Sequence, residues 1–145
     1  TALDRLQDGV PPSRSGLAGE RNNGNGSLMR TLPAVLVHTG PDEDLVDLVC
    51  AQSTVTHAHP RSLVCCALYA LWARAELVGA TEPWDHAIEK LREIFSKGGI
   101  QRHELETHVL GTRHPPTGSG YVVDCLLSAR AALGAPCLEG ARHAE

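Results

Sequence analysis

The chain has 145 residues, which is enough for one domain and too few for two of ordinary size. Hydrophobic residues make up 42% and charged residues 21%, a globular balance that excludes wholesale disorder. The net charge is -4 and the basic residues are nowhere clustered, so composition argues against a nucleic-acid or membrane partner. Because aromatic residues make up only 3%, Leu, Val and Ala must fill the core, which favours helices over a β-sandwich.

From these residues we expect neither a secretory signal nor a membrane-spanning segment. The longest apolar run, Leu63–Ala73, is about half the length needed to cross a bilayer. Five cysteines, an odd number that includes the adjacent Cys65 and Cys66, fit reduced thiols better than a disulfide framework, so we expect a cytoplasmic protein. The chain begins at Thr1 without an initiator Met, which hints at a piece of a longer protein.

Apolar residues recur at helical spacing through most of the chain, and no stretch alternates for long enough to predict a strand. Residues 1–20 are rich in Gly, Pro and Ser and are predicted to be a loop-like start. The first helix is predicted over Ser27–His38, with a bend at Pro33. A second helix follows, opened by a capping box between Thr39 and Asp42.

The third helix, predicted over Pro60–Val78 and ended by Gly79, is apolar on nearly every side. A helix without a polar face belongs in the middle of a bundle, so we expect the other helices to surround it. Three further helices are predicted, over residues 84–95, 105–110 and 120–133. Residues 135–145 are expected to form a frayed tail. The predicted fold class is all-α.

The segment 22–30, NNGNGSLMR, has two Asn-Gly steps directly before a helix. Such steps tolerate positive φ, so the backbone can fold tightly and direct its N–H groups inward. The first free N–H groups of the helix then attract an anion such as phosphate, with the side chains of Asn25 and Ser27 beside them. A flexible turn with an N-cap is the alternative, and the residues alone favour it.

Two imidazoles, His57 and His59, lie two residues apart at the start of the third helix. A zinc site would need Cys ligands as well, but Cys65 and Cys66 are predicted to lie inside the apolar helix. We expect His57 to donate a hydrogen bond to a ligand or to the backbone, and His59 to be structural.

In the segment 117–121, TGSGY, glycines again lead into a helix, here with an aromatic ring at its start. The N–H groups of this turn are suited to a phosphate, and the ring of Tyr121 to a base. The alternative is a plain loop with an N-cap and a half-buried tyrosine.

The residues alone identify no catalytic group. Hydrolysis needs a nucleophile with a base, a carboxylate pair or a metal. The acidic residues of the fourth helix are predicted to be exposed, Asp124 is single, and no aspartate cluster of metal-ligand type is visible. Cys65, Cys66 and Cys125 lie in apolar helix stretches, where thiols stay inert.

Taken together and in this order, GNGSLMRTLP, STVTHAHPRSLVCCALYAL and GSGYVVDCLLSARAAL resemble the central part of the ADP-ribosylglycohydrolase family. The resemblance covers Gly16–Leu133, and prokaryotic members of the family include the dinitrogenase reductase-activating glycohydrolase. It implies an all-α orthogonal multi-helix bundle with a cleft for ADP-ribose. It also implies a hydrolase that removes ADP-ribose from modified proteins or related ADP-ribosyl substrates with two divalent ions, Mg²⁺ or Mn²⁺.

The resemblance further implies a set of substrate-binding residues. Those around the ribose and phosphates would be Asn25, Gly26, Ser27 and Met29, with His57 on the polar wall of the cleft. Those facing the diphosphate would be Gly118, Ser119 and Gly120, with Tyr121 beside the adenine.

The chain departs from the family pattern at its ends. The family's metal ligands lie in an early GDALG-like and Thr-Asp-Asp segment and in a late Gly-Asp-x-Asp segment, and neither occurs here. We therefore expect a partial domain, a middle fragment without its metal ligands, that is inactive alone. The alternative function is a non-catalytic small helical interaction or ligand-binding module, whose glycine turns are only caps and which would ignore ADP-ribose.

Overall fold

A computed structural model describes residues 1–134 as a bundle of helices without β-strands in this part of the chain, which confirms the predicted all-α class. The longer helices share one core, and short helical turns connect them. In chain order the elements are α1 (Ala2–Gln7), α2 (Pro12–Ser15), a 3₁₀ turn (Glu20–Asn22), α3 (Gly26–Met29), α4 (Leu32–Val37), α5 (Asp42–Thr54), α6 (Pro60–Leu77), α7 (Pro83–Ile94), α8 (Ile100–His103), a π-helix (Glu104–Val109) and α9 (Val122–Gly134).

Helix α6 is the centre of the bundle, as its apolar faces predict. It packs most extensively against α5 and α7 and also contacts α3, α4, α8, the π-helix and α9. Its Trp72 meets Trp84 of α7 edge-on with the ring centroids 5.1 Å apart, a geometry that aromatic pairs prefer. The buried aliphatic residues of α6 include Val64, Leu68 and Leu71. Helix α6 ends at Leu77, and Gly79 follows with φ of 71°, as the glycine predicts.

The helix predicted over Ser27–His38 is in fact two helices, α3 and α4, separated by Arg30 and Thr31. The hydroxyl of the fully buried Thr31 donates to the Ser27 carbonyl at 3.0 Å, which satisfies an end group of α3. Pro33 does not bend a continuous helix. It lies in the first turn of α4, where its missing N–H is not needed.

The capping box predicted between Thr39 and Asp42 does not form. Helix α5 begins at Asp42, and its N-cap is Pro41, which makes no side-chain cap hydrogen bond. The acidic residues 42–44 still lie at the positive end of the helix dipole. Asp42 also pairs with Arg74 of α6 at 2.8 Å, so tertiary contacts fix this end of the helix.

The prediction that residues 1–20 are loop-like is wrong for α1 and α2. A capping box between Thr1 and Asp4 opens α1, so local capping outweighs the Gly/Pro/Ser-rich composition there. The segment docks on the end of α5, where the Gly16 N–H donates to the Thr54 carbonyl at 3.0 Å. A Cβ on Gly16 would lie 2.1 Å from that oxygen, so only glycine allows this approach.

The short helix predicted over residues 105–110 is the π-helix, which directly continues α8. The last helix begins at Val122, two residues after the predicted start. The tail predicted over residues 135–145 lies outside the described residues. Within residues 1–134, no helix is both long and apolar enough to cross a membrane.

Candidate functional site

The three motifs meet at one place on the surface of the bundle. We name them the Asn-Gly loop (residues 22–27), the His loop (residues 56–59) and the GSGY loop (residues 117–121). The Asn25 N–H donates to the Gly120 carbonyl at 3.0 Å, and the Val122 N–H donates to the Asn23 carbonyl at 2.9 Å. This pattern is a short antiparallel bridge, which fixes the Asn-Gly loop against the GSGY loop.

The ring of His57 packs against the Asn-Gly loop. A Cβ on Gly26 would lie 3.1 Å from His57 Cε1, and a Cβ on Gly24 would lie 3.4 Å from Nε2. Neither glycine has a positive φ, so the loop does not use the left-handed conformation that Asn-Gly steps tolerate. The imidazole leaves little room for a side chain at Gly26, whereas a Cβ on Gly24 would make an ordinary van der Waals contact with the ring.

Replacing Gly26 with Ala tests this packing. The added methyl would force the His57 ring or the loop to shift by a few tenths of an ångström. We expect the free energy of unfolding, measured by denaturant titration, to fall by about 1 kcal/mol. The control is Gly120→Ala, whose methyl would meet no atom within 4 Å and should change that free energy by less than about 0.5 kcal/mol. Equal effects of the two substitutions would contradict the close packing.

Hydrogen bonds and charge favour a neutral His57 that carries its proton on Nε2. Its Nδ1 lies 2.7 Å from Thr56 Oγ1, and that oxygen also accepts from the Arg30 guanidinium at 2.6 Å. The hydroxyl proton of Thr56 is therefore free to be donated to Nδ1. Partial burial, together with the charge of Arg30, lowers the pKa of His57. The resulting Nε2–H donor lies beside Gly24 and Gly26 of the Asn-Gly loop.

Arg30 and Gln52 connect the Asn-Gly loop to helix α5 through hydrogen bonds. Its Nε donates to Gln52 Oε1 at 2.7 Å, and its Nη2 donates to the Gln52 carbonyl at 2.9 Å. Gln52 in turn donates its side-chain N–H to the Ser27 carbonyl at 3.2 Å. Through these bonds the end of α5 holds α3 and the His loop in one arrangement.

Tyr121 stands at the edge of the site with its hydroxyl tied to a buried arginine. The tyrosine is 39% exposed, and its hydroxyl accepts from Arg61 Nη1 at 3.2 Å. Arg61 also donates through Nε to Glu104 at 2.7 Å and through both terminal nitrogens to Glu20 at 3.2 and 3.3 Å. Burial disfavours the charge of Arg61, but the hydrogen bonds with Glu104 and Tyr121 outweigh this effect and raise its pKa. The guanidinium therefore stays charged.

The first N–H groups of the GSGY loop are already occupied. The N–H groups of Thr117 and Ser119 donate to the Asp124 carboxylate, and the Gly118 N–H donates to Ser128 Oγ at 3.1 Å. The backbone bond from Thr117 is the largest cause that lowers the pKa of Asp124, which falls to about 2. Ser128 and Asp124 thus occupy the anion-binding N–H groups predicted at Gly118 and Ser119, respectively.

A pocket of about 250 Å³ opens beside the GSGY loop. It lies between residues of the segment 112–119 and the first turns of α9. Its apolar surface comes from Pro115, Pro116, Tyr121, Val123 and Leu127. Pockets for drug-sized ligands usually measure roughly 300–1,000 Å³. This pocket therefore fits one ring system rather than a whole dinucleotide.

The other predicted residues differ in their exposure. Ser27 is fully buried, and its hydroxyl accepts from the Cys66 thiol at 3.5 Å, so it points into the core. Met29 is 69% exposed at the end of α3. The Asn25 side chain makes no cap hydrogen bond, which disagrees with the plain N-cap interpretation. His59 is the N-cap of α6, accepting from the Arg61 N–H at 3.1 Å, and is structural as predicted.

The described residues do not form a metal centre. Within residues 1–134, no group of three or more His, Cys, Asp or Glu side chains could hold an ion. Cys65 and Cys66 are buried free thiols, and burial raises the pKa of Cys65, which keeps its thiol inert as predicted. The donors present in this part of the chain therefore do not fit the two divalent ions implied by the resemblance.

A family model described as ADP-ribosylglycohydrolase matches residues 1–142. The chain belongs to the ADP-ribosylglycohydrolase family. This match confirms the resemblance carried by the three motifs and extends beyond Gly16–Leu133 on both sides. The fold described above is consistent with the all-α architecture of the family.

A named relative supports the same assignment. The chain is 47% identical over 47 residues to the ADP-ribosyl-[dinitrogen reductase] glycohydrolase of Rhodospirillum rubrum. The aligned segment covers 32% of this chain and only 16% of that protein's length. No solved structure matches the chain.

Proposed function

We propose that this chain contributes the ADP-ribose-binding surface of a hydrolase that removes ADP-ribose from modified proteins or related ADP-ribosyl substrates. The observation that carries the proposal is the backbone pairing of the Asn-Gly loop with the GSGY loop, beside a neutral His57. Three segments far apart in sequence present hydrogen-bonding groups and an aromatic ring to one surface. If the glycine turns only capped helices, the three segments would not have to meet at one surface.

The ribose end of the ligand is proposed to lie at the Asn-Gly loop. Asn25 has an amide that is not used as a cap, and His57 carries the Nε2–H donor described above. Gly26 keeps the loop close to the imidazole. Ser27 contributes only its backbone N–H, which lies in the first turn of α3 and has no partner within that helix. Met29 supplies exposed apolar surface beside these groups.

The adenosine end is proposed to lie at the GSGY loop, with the adenine against the ring of Tyr121 in the adjoining pocket. Gly120 is open on its outer side, since a Cβ there would meet no atom within 4 Å. Gly118 and Ser119 shape the loop, because Asp124 and Ser128 occupy their N–H groups. The diphosphate would therefore pass Gly120 on its way toward the Asn-Gly loop.

The part of this chain in the reaction is to bind and orient the substrate. The expected Mg²⁺ or Mn²⁺ would supply an activated water when bound. Residues 1–134 provide no cluster of side chains for such ions. The name of the Rhodospirillum rubrum relative specifies ADP-ribosylated dinitrogen reductase, and we propose an ADP-ribosylated protein as the substrate class here also. The free thiols of Cys50, Cys65, Cys66 and Cys125 support a cytoplasmic location.

ADP-ribose binding without hydrolysis is the expected result for the 145-residue chain. We expect calorimetric titration to detect ADP-ribose binding without divalent metal, and His57→Ala to weaken it roughly 2- to 12-fold through loss of one hydrogen bond. The matched control is His86→Ala, an exposed histidine of α7, which should leave the dissociation constant unchanged.

The same preparation, incubated with Mg²⁺ or Mn²⁺ and an ADP-ribosylated protein, should release no ADP-ribose. Metal-dependent release by the purified chain would contradict the expected inactivity. Absence of binding would instead favour the non-catalytic interaction module.

A further inference from the structure

We infer that Asp124 is a positioning residue that holds the GSGY loop in its ligand-binding shape by acting as an internal anion. The inference rests on the proposed function, because it concerns how the same surface receives ADP-ribose. It gives a role to a carboxylate for which the sequence alone suggests none.

Asp124 accepts most of the hydrogen bonds that hold the first residues of the GSGY loop. Its Oδ1 accepts from the Thr117 N–H at 2.8 Å, and its Oδ2 accepts from the Thr117 hydroxyl at 3.1 Å and from the Ser119 N–H. Between them, the Gly118 N–H donates to Ser128, one turn further along α9. Gly118 has φ of 75°, a left-handed conformation in which the N–H groups of Thr117 and Ser119 reach one carboxylate while the Gly118 N–H reaches Ser128. The loop is thus a nest of N–H groups whose anion is part of the chain.

The GSGY loop held by Asp124 is also bonded to the backbone of Tyr121. The Tyr121 N–H donates to the Ser119 hydroxyl at 3.3 Å, so the residue held by Asp124 also holds the backbone of Tyr121. On its other side the loop is fixed by the bond from Asn25 to Gly120. Asp124 therefore acts on the adenine end through Ser119, and it also lines the adjoining pocket itself.

Charge determines which side of the loop a diphosphate can use. The bonds from Thr117 and Ser119 lower the pKa of Asp124 to about 2, so the carboxylate is ionised at pH 7. A phosphate group placed on the N–H groups of residues 117–119 would have to displace this charge. With Asp124 in place, the diphosphate is directed to the opposite side, toward Gly120 and the His57 ring.

Asp124→Asn tests the inference with little change in size. The amide keeps an acceptor for Thr117 but sets an NH₂ group against the Ser119 N–H. We expect amide hydrogen exchange at Thr117 and Ser119 to accelerate about tenfold, and the dissociation constant for ADP-ribose to rise about tenfold. The control is Asp85→Asn, because Asp85 is also the third residue of its helix, is exposed and carries the same charge. It should change neither quantity, and the melting temperatures of the two variants should agree within a few degrees.

The possible outcomes are distinct. Tighter binding of ADP-ribose or inorganic pyrophosphate by Asp124→Asn would overturn the inference, because Asp124 would then be a competitor that the ligand displaces. Unchanged exchange at Thr117 and Ser119 would also overturn it. If the unaltered chain does not bind ADP-ribose, the proposed function fails, and the exchange rates still decide whether Asp124 holds the loop.

Discussion

Replacing Arg61 with Ala is expected to lower the free energy of unfolding by about 3–5 kcal/mol, the cost of breaking a buried ion pair by removing one partner. Arg61 is 6% exposed and Glu104 is 5% exposed, and the two are joined at 2.7 Å. Without the guanidinium, the buried Glu104 carboxylate would lose its charged partner. Denaturant titration followed by far-UV circular dichroism measures the loss directly.

Arg92→Ala is the matched control for this prediction. Arg92 makes two hydrogen bonds to Glu106 at 2.9 and 2.8 Å, but both side chains are about 40% exposed. An exposed pair of this kind contributes roughly 0–1 kcal/mol. A further variant, Arg61→Met combined with Glu104→Leu, should lose less stability than Arg61→Ala, because it leaves no unpaired buried charge. If Arg61→Ala costs no more than Arg92→Ala, the buried pair does not stabilise the fold.

The helices that the sequence predicts best are those whose burial follows from local pattern. Helix α6 is apolar on every side and has clear ends at Pro60 and Gly79, so its place in the bundle follows from its residues. The break between α3 and α4 does not follow in this way. It depends on the burial of Thr31 and on its bond to Ser27, which a pattern of apolar residues does not reveal.

At the start of the chain, local composition predicts the wrong structure. Its composition favours a loop, yet Thr1 and Asp4 cap a helix, and the segment is fixed by the contact between Gly16 and Thr54. That contact joins residues far apart in sequence, and a Gly-rich segment carries no local sign of it. Packing against distant residues can therefore override the local preference of a short segment for a loop.

The sequence predicts which segments form the site, but it does not predict the hydrogen bonds that hold these segments together. The resemblance groups Asn25, His57 and Tyr121 in one cleft, and the structure brings the loops that carry them together. The roles of Arg61 and Asp124 are not predicted, because each depends on hydrogen bonds to another element. The sequence carries one sign of Arg61: it is the single charged residue in the segment 60–73, most of which is apolar.

Arg61 also couples the site to the core. Arg61 stabilises the bundle through Glu104 and Glu20, and the same guanidinium holds the hydroxyl of Tyr121. A substitution that loosens this network should affect the ring of Tyr121 as well as stability. Binding and stability must consequently be measured together for any variant near the GSGY loop.

Tyr121→Ala is expected to weaken ADP-ribose binding by about 1–3 kcal/mol, the range found when an aromatic side chain that stacks on a base is removed. The tyrosine is partly exposed and lines the pocket beside the GSGY loop, so its ring is available to an adenine. Calorimetric titration of ADP-ribose, made beside thermal melts of the same samples, separates lost affinity from lost folding.

Tyr121→Phe is the control that keeps the ring and removes only the hydroxyl. Arg61 would lose one acceptor but keep its bonds to Glu104 and Glu20, so the ring should stay close to its place. We expect this variant to bind ADP-ribose much more tightly than Tyr121→Ala does, because stacking depends on the ring face. If Tyr121 is only structural, Tyr121→Ala should lower the melting temperature and leave the dissociation constant of the folded chain unchanged. That result would remove Tyr121 from the adenine site, and with it the reason to orient the ligand along the GSGY loop.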